Sequence, residues 1–290
     1  MSSNSTGTQS AAEEVRWTDA SIRWPDDKPI DNEPNTEDDY EAPYMDPFKD
    51  PNPFQEFSFR FDRHSNILLH GDDKKRIDDD RYIDIGLRGY KTDSDQVFES
   101  TGLTIWKSAK HLCQYQMSHS KLFHGKRILE LGAGLGLNGI LAYCMTQDST
   151  ICITDGDTDS LNNLRENIDL NRQEKFTSKI SCHQLIWNRS NAALFLENHA
   201  ESQTFDVMLA SDIIYAKGII EPLWATVQVL LARSGVFVMA YASRNYVPIN
   251  IEYVLELSVN AGFEYELAEE DTENEIFVYL FRWKDDEIIP

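Results

Sequence analysis

The chain has 290 residues, enough for one large domain or a domain with an extension, and 41% of them are hydrophobic. Its formal net charge is −22, and with no basic stripe to hold a phosphate backbone, nucleic acid is excluded as an expected partner. No apolar run approaches the ~18 residues of a membrane span, and no secretory apolar core opens the sequence, so neither a membrane nor export is expected.

Cys113, Cys144, Cys152 and Cys182 show no CxxC spacing, which fits a reduced compartment, the cytoplasm or the nucleus. The histidines lack zinc-like spacing, and no metal is expected. Nothing in the pattern calls for more than a monomer. The acidity either serves solubility or draws in basic partners such as lysine-bearing protein segments.

Three regions follow in chain order. Residues 1–53 are acidic; Met1 to Asp50 holds thirteen acidic and four basic residues. Such a stretch buries too little apolar surface to offset its conformational entropy, and it reads as a mostly disordered arm. Residues 54–125 open with Phe57, Phe59 and Phe61 in alternation, then a turn-like Asp62-Arg-His-Ser-Asn66 and a short apolar run, Ile67-Leu-Leu69. This predicts a β-hairpin. Gly102 to Met117 carries Leu103, Trp106, Ala109, Leu112 and Cys113 at helical spacing, which predicts an amphipathic helix.

In residues 126–290, strands at 127–131, 149–154, 179–185, 205–210 and 235–241 are expected. Helices are expected after the first (to about Met145), the second (158–170), the fourth (218–231) and the fifth (248–260). Two last strands, 262–267 and 275–281, are joined without a helix. Strict β/α alternation predicts a doubly wound, mostly parallel α/β sheet of seven strands, with helices on both faces. The short final connection makes the last strand antiparallel.

The most informative stretch is Glu130-Leu-Gly-Ala-Gly-Leu-Gly136 at a strand-to-helix turn. Gly132, Gly134 and Gly136 let a cofactor approach the backbone, and the helix N-terminus offers free N–H groups. A dinucleotide fingerprint needs glycine or alanine where Leu137 stands. Glu130 would repel a pyrophosphate but suits the cationic amino group of a methionine moiety. Asp155, ending the second strand, is placed to bind both ribose hydroxyls of an adenosine cofactor. Asp157 could do so instead, or cap the following helix. Trp187 either flanks the adenine or packs in the core.

The fourth strand runs into Ser211-Asp212-Ile-Ile-Tyr215 at the topological switch point, where ligands of open α/β sheets bind. Asp212 and Tyr215 are therefore expected to face the reacting group, with the carboxylate orienting an incoming amine; a helix cap is the other role open to Asp212. Ser243-Arg244-Asn245 leaves the fifth strand at the same crevice, as a substrate contact or a simple turn.

Asp212-Ile-Ile-Tyr215 resembles the Asp-x-x-Tyr motif of the seven-β-strand protein lysine methyltransferases, methyltransferase family 16. Glu130 to Gly136 is similar to that family's first cofactor motif, and Thr154-Asp-Gly-Asp157 to its strand-two motif. Asn167-Ile-Asp-Leu-Asn171, Trp187, the preceding hairpin and Ile105-Trp-Lys-Ser-Ala109 are also similar. Asn188 departs from the family, where many members have Gly after the tryptophan.

The resemblance covers about residues 54–284. It implies a class I, Rossmann-like fold that binds S-adenosyl-L-methionine through Trp106, Glu130, Gly132, Gly134, Gly136, Asp155, Trp187 and Ser211. Asp212 and Tyr215 are then the catalytic residues, and a protein with an accessible lysine is the substrate. Trp106 is expected on a lid helix near the methionine end of the cofactor. A small-molecule N-methyltransferase and a non-catalytic scaffold are the alternatives.

Overall fold

The computed structural model describes residues 53–65, 67–69, 80–94, 97, 100–243 and 249–284. The expected acidic arm up to Asn52, the Arg244-Asn245 segment and Pro248, the first residue of the last expected helix, lie outside the described residues.

The N-terminal hairpin is one part of a three-stranded antiparallel sheet: β1 (Phe54–Asp62) sits between β2 (Ile67–Leu69) and β3 (Tyr82–Tyr90). In β3, Ile83, Ile85 and Leu87 are buried at every second position and join Phe59 and Phe61 of β1 in one apolar face. Asp62 at the end of β1 accepts from Arg81 (Nη2 to Oδ2, 2.6 Å), and that guanidinium holds its carboxyl well below the usual carboxylate range against the opposing effect of burial. The expected helix from Gly102 splits into a 3-10 turn (Thr101–Leu103) and α1 (Lys107–Ser118), with Trp106 as the residue that precedes the helix.

The main sheet has seven strands in the order β6-β5-β4-β7-β8-β10-β9. Its strands are β4 (Arg127–Leu131), β5 (Thr150–Asp155), β6 (Lys179–Gln184), β7 (Phe205–Ser211), β8 (Leu231–Ala242), β9 (Phe263–Asp271) and β10 (Ile276–Trp283). The first five pair in parallel; β10 is antiparallel to both β8 and β9.

The helices are α2 (Leu137–Met145), α3 (Thr158–Asn171), α4 (Arg189–His199), α5 (Ile220–Leu230) and α6 (Ile251–Asn260). Side chains of α1, α2 and α3 share one buried cluster with the N-terminal sheet, while α4, α5 and α6 share a second on the opposite face. Strand β4 feeds both, Ile128 into the first and Leu129 and Leu131 into the second, so it reads as a continuous apolar run.

The two sheets are joined by asparagines. On α3, Asn167 and Asn171 stand one helical turn apart and face the outer edge of β3. Asn167 Oδ1 accepts from Arg88 N–H (2.7 Å) and its Nδ2 donates to Arg88 O (3.1 Å). Asn171 repeats the pattern on Gly86, at 3.1 and 2.7 Å. Two side-chain amides thus stand in for a fourth strand and satisfy an edge that would otherwise be exposed.

Candidate active site

The carboxyl ends of β4, β5 and β7 converge where β4 and β7 lie side by side and their connections diverge to opposite faces. Gly132, Gly134 and Gly136 all adopt positive φ (+59°, +54° and +85°), which L side chains rarely do. The turn is also crowded. A Cβ on Gly134 would lie 2.8 Å from the Gly102 carbonyl oxygen, and one on Gly132 would lie 2.9 Å from Ile213 Cγ2 and 3.2 Å from the Trp187 ring. The Thr101–Leu103 turn therefore rests directly on the glycine turn, and Trp187, half-buried, edges the same loop.

Glu130 does not present its carboxyl to the crevice, contrary to the expectation that it meets the amino group of the cofactor. It is 1% exposed, and its Oε2 accepts from the N–H of Gly139 (2.8 Å) in the first turn of α2. An acid on the sheet side of a helix N-terminus satisfies one of the unpaired donors there. Burial pushes its pKa up to about 8, so the group is largely neutral at pH 7.

Asp155 ends β5 as expected, and its carboxylate is fixed at both oxygens: Oδ2 accepts from Gly134 N–H (2.9 Å) and Oδ1 from Asp157 N–H (3.0 Å). A carboxylate offers about four lone-pair sites, so two remain for a vicinal diol. Burial raises its pKa despite these bonds. Asp157 takes the capping role: its side chain accepts from Ser160 N–H (3.0 Å) and Ser160 Oγ (2.9 Å) at the start of α3, and from Ser100 Oγ. Burial works against its charge, but those donors outweigh it and the pKa falls.

Ser211 closes β7, its Oγ accepting from Asn138 Nδ2 (3.1 Å). Asp212, with φ +56°, is in the left-handed region that few non-glycine residues occupy. It is 8% exposed, and its Oδ2 accepts from the Ser108 N–H (2.7 Å). Asp212 thus caps α1, a helix about a hundred residues earlier in the chain, and Ser108 Oγ donates in turn to Ala240 O (3.2 Å). Tyr215 is half-exposed; burial of its hydroxyl, then the charges of Asp155 and Asp157, raise its pKa. Trp106 does not ride on α1 but precedes it, its Nε1 donating to Thr101 O (2.8 Å).

Three contributors were not singled out from the sequence. Ser100 is buried and bonds Asp157 and Ser160 (Oγ–Oγ 3.1 Å); Gly102 meets Gly134; Asn138 ties α2 to Ser211. Their partners lie tens of residues away. Only Asn138, polar within an apolar helix, carried a visible signal. Asn188, the departure after Trp187, is the N-cap of α4, accepting from Asn191 N–H (2.8 Å).

A doubly wound sheet with one antiparallel strand inserted near its edge, a glycine turn after its central strand and an acid ending the next defines a Rossmann-like fold. The chain belongs to the lysine methyltransferase family, whose pattern matches residues 92–253. Among its relatives, calmodulin-lysine N-methyltransferase of Arabidopsis thaliana is 31% identical over 134 residues, 46% of this chain and 42% of that one. Protein-lysine N-methyltransferase EFM3 of Chaetomium thermophilum is 30% identical over 132 residues, 46% and 39% respectively. EEF1A lysine methyltransferase 3 of Mus musculus is 27% identical over 181 residues, 62% and 72%. The chain spans less than half the length of the first two.

Proposed function

We propose that this protein transfers a methyl group from S-adenosyl-L-methionine to the side-chain amine of a lysine in a specific non-histone protein. The observation that carries the reading is the convergence on one crevice of the glycine turn, the anchored Asp155 and the Asp212–Tyr215 pair. The residues present fit the cofactor. Asp155 retains lone pairs for a ribose, Trp187 flanks the turn where an aromatic base would lie, and the strand-end acids favour a cation. When bound, the cofactor supplies an electrophilic methyl on a sulfonium.

The chain's own residues deal with the amine. A lysine has a reference pKa of about 10.4 and must lose its proton before it attacks. Desolvation in the crevice favours the neutral amine, whereas the carboxylate of Asp212 draws in the charged one. Asp212 thereby attracts and orients the lysine, and Tyr215 forms the adjoining wall with its hydroxyl toward the cofactor end. Alignment supplies most of the rate, on the order of 7–11 kcal/mol for a well-oriented reaction.

The test is a labelling assay. Protein, radiolabelled S-adenosylmethionine and hypomethylated lysate are incubated, and label is counted in protein bands and in the small-molecule fraction, with Asp212→Ala alongside. Label in a discrete band, lost in the variant, supports the reading; label confined to small molecules contradicts it.

A further inference from the structure

Strand β9 is the last strand of the main sheet, and among the described residues no strand pairs with its outer edge. It reads Phe263-Glu-Tyr-Glu-Leu-Ala-Glu-Glu-Asp271, five acids in nine residues. Of these, only Glu266 (to Arg282, 3.3 Å) and Asp271 (to His111, 2.7 Å) meet a basic side chain among the described residues. Strand alternation separates the residues into two faces. Glu264 and Glu266 line one; Tyr265 and Leu267 line the other, each 45% exposed. The register slips at Ala268, a bulge opposite Val278 and Tyr279 that ends the regular stretch.

We propose that the outer edge of β9 over Phe263–Leu267 docks the substrate protein by strand addition. Its occupant is an extended segment in which basic and apolar residues alternate. The main chain pairs with β9, the basic residues meet Glu264 and Glu266, and the apolar ones cover Tyr265 and Leu267. This inference rests on the protein-lysine reading and names how such a substrate is held.

Charge selects the occupant. A second copy would oppose acids to acids, and the chain's own residues 1–50, with thirteen acidic and four basic residues, are repelled likewise. The edge also leads to the chemistry. β9 ends at Asp271, level with the end of β8 through Ile276 and Ala242. There Lys107 Nζ donates to Asn274 O (2.9 Å) and His111 pairs with Asp271, tying this corner to α1, the helix that Asp212 caps. An added strand lies four strand spacings from β7, about 19 Å at ~4.8 Å each, and the docked stretch ends two residues short of the level of Ser211. The target lysine therefore stands roughly six to seven extended residues from the docked stretch at ~3.3 Å apiece.

The test is binding by full-length protein, read from the fluorescence anisotropy of a short labelled peptide of alternating arginine and valine. Two control peptides have the same composition, one with arginines and valines in separate blocks and one with alternate backbone amides N-methylated. The wild type is expected to bind the alternating peptide at least about tenfold more tightly than either control. Glu264→Lys with Glu266→Lys is expected to weaken it by a similar factor while leaving cofactor affinity unchanged. Equal binding of all three peptides, no binding of any, or indifference to the double substitution would overturn the proposal. Because methyl transfer plays no part in this readout, lost docking with intact labelling overturns the docking surface alone. Intact docking without labelling overturns the lysine reading.

Discussion

The asparagine ladder between α3 and β3 makes a differential prediction. Asn167 is fully buried, and besides its two bonds to Arg88 its Nδ2 also donates to Leu135 O (3.2 Å) in the glycine turn. Asn167→Ala strands the Arg88 N–H and takes a donor from the Leu135 carbonyl. Each group costs about 1–3 kcal/mol when left without a partner, and water reaching the β3 edge keeps the sum near 2–4 kcal/mol. That is a large share of the roughly 5–15 kcal/mol that holds a domain together. Asn163 differs: its Nδ2 also donates to Arg88 O (2.9 Å), but that carbonyl keeps Asn167 as a second donor. Asn163→Ala should change stability by no more than about 0.5 kcal/mol. Urea unfolding of both variants at unchanged m-value separates the two cases. Equal midpoint shifts, or a shift for Asn167→Ala worth less than about 1 kcal/mol, would refute the idea that these amides replace a strand. Because Leu135 belongs to the glycine turn, Asn167→Ala should also weaken cofactor binding more than Asn171→Ala does.

Three further outcomes are expected. Asp155→Ala should reduce affinity for S-adenosylmethionine by about a hundredfold, equivalent to two charge-assisted hydrogen bonds at about 1.5 kcal/mol each; calorimetry checks it, and unchanged affinity would leave the ribose without its acceptor. Ser100→Ala removes the bond that holds the 100–103 segment to Asp157, so the Michaelis constant for the cofactor should rise several-fold at constant turnover; a fall in turnover alone would contradict the role. Glu130 has a folded pKa of about 8 against 4.5 for the free group. Its contribution to stability is full below pH 4.5 and is lost as pH rises toward 8. Glu130→Gln should therefore gain in melting temperature relative to wild type between pH 5 and pH 8, and a constant difference across that window would count against a neutral Glu130.

Where sequence reading succeeded and failed follows from range. The core strands β4, β5 and β7 are buried on both faces and stand out as apolar runs, and α2 ends at Met145 as the periodicity predicts. Strand β3 was missed: Ile83, Ile85 and Leu87 alternate, but Gly86 among them and Gly89 after them resemble a loop. Helix α4 was missed because only Ala192 and Phe195 of its eleven residues are buried, too few to mark a face. At the site, most partners of Asp155 and Asp157 are local: backbone N–H groups two and three residues on, and the neighbouring glycine turn. The partner of Asp212 is not, since Ser108 belongs to a helix that begins at Lys107 and only the fold brings the two together. Glu130 misled for a related reason: whether an acid at a strand end faces the crevice or the helix depends on the face it occupies, and here that face is the one covered by α2.

Whether this crevice methylates a protein lysine is decided by mass spectrometry of the protein band labelled in the presence of the wild-type protein. A mass increase of whole methyl groups is expected on a lysine side chain, absent when Asp155→Ala or Asp212→Ala replaces the wild type. Methylation found on another residue type, or persisting in both variants, would contradict the lysine reading.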